Sequence, residues 1–231
     1  TPPTFEGIPV TASVHLPFLW TTDPTAKVCP NPLERGASNA GCTPIERHER
    51  IPVTGEQRVQ GGLWYQTENG FIGAPQVARI DRVRALPSGL HSGERWIHVD
   101  LRNQFAALYE GDAMKFVTLI SSGDDQHPTP PGTYRVESKH VSATMDDENN
   151  MSSAFFIQDV PWVMYFHGGY ALHAAFWHDR FGLRTSHGCV NLSPRDARRF
   201  FEFVDSPRMI PGLHSVITPP DRPGTLVYVT R

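Results

Sequence analysis

The 231-residue sequence has no apolar run long enough to cross a bilayer, no block of like charge, and only three cysteines. Each shortage excludes something. The apolar stretch from Val160 to Phe166 is strand-sized and contains Pro161, against the roughly 20 residues a membrane helix needs, so no membrane span is expected. A formal net charge of −3, with Lys and Arg scattered, offers no footprint for nucleic acid or anionic lipid. Gly168-Gly169 lacks the Lys and spacing of a phosphate loop, which removes nucleotide chemistry. Helical periodicity is scarce too, whereas proline is not: 21 are present, many of them before Asp81.

Hydrophobic content of 39% and charged content of 19% are ordinary for a globular chain able to bury a core. The pattern divides it into a turn-rich all-β module over 1–85 and a second domain over 86–231, with a linker near Leu86-Pro87-Ser88-Gly89. In the first part, short extended pieces such as Gly62–Gln66, punctuated by Thr54-Gly55-Glu56 and Glu68-Asn69-Gly70, suggest a small SH3-like barrel. In the second, Ile97, Val99 and Leu101 alternate with His98, Asp100 and Arg102, which predicts a strand with one buried and one polar face. A hairpin over 105–120 follows, then strands over 133–138, 154–158, 162–167 and 225–230. A single helix is predicted after Ser193, with Ser193 as cap, Pro194 at the first position, Asp196 in the first turn, and Ala197, Phe200, Phe201 and Val204 as its apolar stripe.

Cys29 and Cys42 stand close together in a Pro-, Gly- and Asn-rich stretch, apart from Cys189. They read as one disulfide, worth about 3 kcal/mol for so short a loop and expected only in an oxidising compartment. Unpaired loop thiols, or half of a metal site, are the alternatives. A start at Thr1-Pro2-Pro3 without initiator Met or leader reads as that of a processed chain, which leaves export open.

Cys189 lies in Ser186-His187-Gly188-Cys189-Val190-Asn191. A thiol becomes nucleophilic when a nearby base favours its thiolate. His173 is assigned as that base, because a strand carrying it can lie beside the Cys189 strand across a loop through Trp177, Phe181 and Gly182. Gly188 leaves room for a substrate carbonyl, and its N–H with that of Cys189 is the candidate oxyanion hole. His167, His173, His178 and His187 fit no standard zinc spacing, so no metal is expected, and no cofactor.

Together, Tyr170-Ala171-Leu172-His173, Trp177, Gly182 and the Ser186–Asn191 run resemble the signature of YkuD-type L,D-transpeptidases. His127-Pro128-Thr129-Pro130-Pro131-Gly132-Thr133-Tyr134 is similar to that family's turn entering a strand. The resemblance covers about 95–231 and implies a mainly β fold, a β-sandwich with one helix after the Cys motif. It makes Cys189 the nucleophile, His173 the base and the Ala174 carbonyl the group orienting the imidazole. Many relatives have Gly or Ser where this chain has Ala174, a change that a main-chain oxygen tolerates.

The implied partner is a peptidoglycan stem peptide in the cell envelope, periplasm or wall. Attack of Cys189 on a tetrapeptide stem would release D-Ala, and a second stem's amine would then form a 3–3 cross-link. Water in place of the amine gives an L,D-carboxypeptidase or endopeptidase; an inert peptidoglycan-binding module is the alternative of another class. Ser186, His187, Asn191, Trp177 and Tyr170 are candidates for substrate contact. For His187 a structural role is equally open, for Asn191 a turn-fixing role, and for the two aromatic residues simple packing. Arg184 is either a partner for a substrate carboxylate or a solvated surface group. No oligomeric state is read from the sequence.

Overall fold

The computed structural model of the chain describes residues 3–34, 36, 38–146 and 156–231, with backbone alone at Asp146 and Phe156. It divides into two compact units, one of Thr11–Arg84 and one of Thr1–Val10 with Ala85–Arg231.

The larger unit is built on two sheets. The first runs Ile8–Pro9, Ala113–Leu119, Phe105–Glu110, Arg95–Asp100, Leu226–Thr230, Gly132–Arg135 in spatial order. The second runs Val190–Leu192, Tyr170–Ala174, Phe156–His167, Ser138–Asp146, Ser215–Ile217. Alternation sends Ile97, Val99, Leu108 and Phe116 from one sheet, and Met164, Phe166, Leu172 and Val190 from the other, into a common core. Phe200 and Phe201 of the helix Pro194–Phe203 join it. Each buried ring or branched chain contributes about 1.5–3 kcal/mol.

The helix forms as its sequence predicts. Ser193 caps it by accepting from the Asp196 N–H, and Pro194 opens it. Asp196 does more than mark the first turn. Its buried carboxylate accepts from the Thr118 hydroxyl at 2.6 Å, the Ser193 hydroxyl at 2.8 Å and the Gly7 N–H at 3.0 Å. At the other end, Lys139 Nζ donates to the Phe201 and Val204 carbonyls, 2.6 Å each, covering oxygens the helix leaves open.

Several local expectations need correction. Residues before Val10, read with the first module, pair with Ala113–Leu119 in the larger unit and are tied there through Gly7. The pieces at 154–158 and 162–167 belong to one strand, Phe156–His167. Positive φ at Asp159 and Trp162 kinks that strand, and its partner shifts register between Ala143 and Met145, which accommodates Pro161. Ala154 and Phe155 lie outside the described residues. His98 is not on a polar face: it is 3% exposed and packs with Phe105, Tyr109 and Tyr228. Burial lowers its pKa to about 4.

Among its described residues, the unit Thr11–Arg84 is all β apart from one 3-10 turn at Ala74–Gln76. Its small antiparallel sheets enclose Leu19, Ile51, Tyr65 and Ile72. Cys29 and Cys42 are joined as a disulfide. Thr54-Gly55-Glu56 is not a turn, since Gly55 begins the strand Gly55–Val59. The reversal comes at Gln60-Gly61, where both residues have positive φ, the conformation a two-residue hairpin favours.

Candidate active site

Tyr170–Ala174 and Val190–Leu192 run parallel, with His173 opposite Asn191. Parallel neighbours cannot be joined by a tight turn, so the chain crosses over through residues 175–189. That crossover contributes Trp177, His178, Ser186, His187 and Cys189 to one cavity beside the strand pair. Side chains alternate along a strand, so Cys189, Asn191 and His173 share a face.

His173 is 3% exposed and its Nδ1 lies 3.0 Å from the Ala174 carbonyl oxygen. A carbonyl only accepts, so Nδ1 carries the proton and Nε2 is left as an acceptor. Burial holds the His173 pKa down at about 4, against a partial rise from the Ala174 bond and with a further lowering by His178. The Cys189 thiol is also desolvated, which pushes its pKa up to about 11, offset in part by a backbone hydrogen bond from Ala171. Sγ donates to the Gly169 carbonyl at 3.7 Å. At neutral pH the resting pair is therefore thiol and neutral imidazole.

Ser186 acts on the loop itself. Its hydroxyl accepts from the Gly188 N–H at 3.1 Å and donates to the Cys189 carbonyl at 2.5 Å. The Gly188 N–H, expected as one of two oxyanion donors, is thus already engaged by the Ser186 hydroxyl. Gly188 has φ +114 and packs beneath Tyr170. Its carbonyl accepts from the Thr129 hydroxyl at 2.7 Å, while Thr129 Oγ1 accepts from the Gly123 N–H at 2.9 Å. The Asp124 N–H donates to the Ser186 carbonyl at 2.9 Å, and Ser121 and Asn191 bond reciprocally through their backbones.

A cavity of about 220 Å³ opens beside the thiol, with His173, Trp177, Ser186, His187, Cys189 and Asn191 in its wall. Tyr170 is not part of that wall. The Trp177 ring stacks on His173, centroids 5.9 Å apart, and remains 40% exposed. His187 is exposed and faces His127, ring to ring at 4.7 Å. His127 leans on Asp124, whose carboxylate accepts from its backbone N–H at 2.7 Å and is held below its usual pKa chiefly by that bond. Arg184 donates to the Leu101 carbonyl at 2.9 Å and lies 3.8 Å from the Asp125 carboxylate.

Sequence reasoning did not assign Met145, Ile157, His178 and Thr185 to the cavity, or Thr129 to the support of Gly188. His178 carries a signal in hindsight, as a polar residue in the crossover directly after Trp177. Its Nε2 lies 2.9 Å from the side-chain amide of Asn191, and its Nδ1 accepts from the Arg180 N–H at 3.0 Å. Among the described residues, no three His, Cys, Asp or Glu side chains converge as metal ligands. No helix among them is long and apolar enough to cross a membrane.

Known proteins resemble this chain in sequence. The chain is 24% identical over 227 residues to L,D-transpeptidase 1 of Mycobacterium tuberculosis, covering 87% of this chain and 89% of that one. The catalytic domain of the E. faecium L,D-transpeptidase is 26% identical, with a TM-score of 0.47 over 61% of this chain and all of that one. L,D-transpeptidase 3 of M. tuberculosis, solved with a faropenem-derived adduct, is 15% identical, with a TM-score of 0.47 over 80% of this chain and 72% of that one. The family model of the YkuD L,D-transpeptidase catalytic domain matches residues 94–229. With more than half its length in that match, the chain belongs to the YkuD family of L,D-transpeptidases.

Proposed function

We propose that this protein forms 3–3 cross-links between peptidoglycan stem peptides through a thioester on Cys189. The observation that carries the reading is the tautomer of His173. With Nδ1–H held by Ala174, Nε2 is free to take the thiol proton on the strand face it shares with Cys189. In the first half-reaction Cys189 Sγ bonds to the carbonyl carbon preceding the terminal D-Ala. The peptide bond breaks, and the proton taken by His173 goes to the departing amine. In the second, a stem-peptide amine attacks the thioester, gives its proton to His173, and the thiol is restored. The Cys189 N–H donates to the oxyanion in both tetrahedral intermediates.

The high thiol pKa and low imidazole pKa fit a site that ionises its nucleophile only as substrate arrives, rather than one that stores a thiolate–imidazolium pair. No cofactor takes part. The disulfide of the N-terminal unit suits an exported protein working at the cell wall, outside the reducing cytoplasm. The Thr11–Arg84 unit is then an SH3-like accessory module, with the catalytic domain taking up the rest of the chain.

The reading is tested with tetrapeptide muropeptides and a carbapenem. Dimers with released D-Ala support it. Tripeptide alone would replace it with an L,D-carboxypeptidase, and no turnover with an inert module. A carbapenem should leave one covalent adduct that Cys189→Ala abolishes; an adduct that survives the substitution overturns the assignment of the nucleophile.

A further inference from the structure

We infer that His178 is a positioning residue that fixes the side-chain amide of Asn191 by its oxygen and so turns the amide NH2 toward the acyl donor. The identity of that donor, a peptide bearing carbonyl oxygens, rests on the transpeptidase reading; the hydrogen-bond arrangement does not.

The argument begins at Arg180, whose backbone N–H donates to His178 Nδ1 at 3.0 Å. A ring nitrogen that accepts carries no proton, so the neutral imidazole holds its proton on Nε2. The structure places the Asn191 amide nitrogen, Nδ2, 2.9 Å from Nε2. An amide nitrogen at that position would set donor against donor. The two ends of the amide have the same shape, and only their hydrogen bonds tell them apart. The end facing His178 is therefore the oxygen, and the NH2 is left for the cavity that Asn191 lines.

Three features make this arrangement consequential. Asn191 is only 4% exposed, so a donor there acts in a poorly solvated wall, where a hydrogen bond counts for more than in water. It stands opposite His173 in the register and two residues beyond Cys189 on the same face, so a peptide bound for attack passes it. The His178 ring is backed by Phe181 at 5.3 Å, and Phe181 in turn by Phe5 at 6.0 Å, which gives the imidazole a packed support. His178 thus acts through Asn191 and needs no contact with the reacting atoms.

The test has two independent readouts. Long-range 15N–1H spectra of the substrate-free protein should give the Nε2–H tautomer for His178; the Nδ1–H tautomer overturns the inference. In kinetics, His178→Ala should slow acylation of Cys189 by a tetrapeptide donor roughly ten- to a hundredfold. His178→Gln, which can donate to the same oxygen, should recover to within about threefold of wild type. Asn191→Asp, which replaces the inward NH2 by an anionic oxygen, should lose at least as much as His178→Ala. Unchanged acylation in His178→Ala, or a His178→Gln variant as slow as the alanine one, would each contradict the role. Failure of the wild-type protein to form any acyl-enzyme would sink the transpeptidase reading instead, and the tautomer would still decide this one.

Discussion

Tyr170 fills the space a side chain at position 188 would need: an ideal Cβ on Gly188 would lie 2.7 Å from Tyr170 Cε1. Gly188 also has φ +114, a conformation that L residues rarely adopt. Both facts bear on the residue that immediately precedes Cys189. Gly188→Ala should therefore combine backbone strain of about 1–3 kcal/mol with a clash of similar size. Acylation of Cys189 is expected to fall by at least about a hundredfold, since a shift of 1 Å at the reacting atoms suffices for that. Adding Tyr170→Ala should relieve the clash but not the strain, so rescue should be partial. Second-order acylation rates of the single and double variants check this.

Thr129 links two glycines, accepting from Gly123 and donating to Gly188. It is 2% exposed, so water cannot replace it. Thr129→Val keeps the shape and removes the hydroxyl, which leaves a buried N–H and a buried carbonyl without this partner. A loss of about 2–4 kcal/mol in chemical denaturation is expected, together with slower acylation. A change under about 0.5 kcal/mol would show the link to be energetically idle.

Stability should depend on pH through buried histidines. His98 and His173 titrate at about 4 in the folded protein, against about 6.5 in an unfolded chain. Between those values the unfolded chain binds protons that the folded protein refuses, so stability rises with pH through that window and is lost as pH falls through it. Each residue accounts for about 3 kcal/mol by pH 4. Asp196, whose pKa burial raises, works in the opposite direction. Urea midpoints at pH 7 and pH 4.5 measure the net effect. His98→Phe should flatten the profile, and an unaltered slope would contradict the assignment.

The two kinds of thiol should be separable by chemistry. Native protein should show a single reactive cysteine, Cys189, because Cys29 and Cys42 are bonded to each other. Reduction, or Cys29→Ser with Cys42→Ser, should destabilise the Thr11–Arg84 unit by about 3 kcal/mol. Thiol titration and thermal melts with and without reductant check both points. Three reactive thiols in native protein would count against the bond.

What was legible in the sequence was what lies close along the chain. The helix after Ser193 could be read because its cap, proline and apolar stripe are all local signals. That Cys189 and His173 come to line one cavity was legible because one crossover joins their strands. The supports of the site come from further away and leave no periodic trace. Thr129 reaches Gly188, Asp124 meets Ser186, and Phe5 backs Phe181 only once the two sheets have packed. His98 misled because alternation reports polarity and not burial, and an aromatic cluster had covered the second face of its strand. Gly188 could be read as a close-approach residue, but no local signal shows that Ser186 already holds its N–H.

The central claim, that Cys189 accepts an acyl group from a stem peptide and passes it on, is tested most directly by intact-protein mass spectrometry during turnover of a tetrapeptide donor. The expected result is a single acyl adduct on Cys189, formed with one equivalent of D-Ala, that decays into 3–3 dimers when a second stem peptide is added, and is absent from both Cys189→Ala and His173→Ala. Turnover that persists in Cys189→Ala, or dimers formed without any adduct on Cys189, would contradict it.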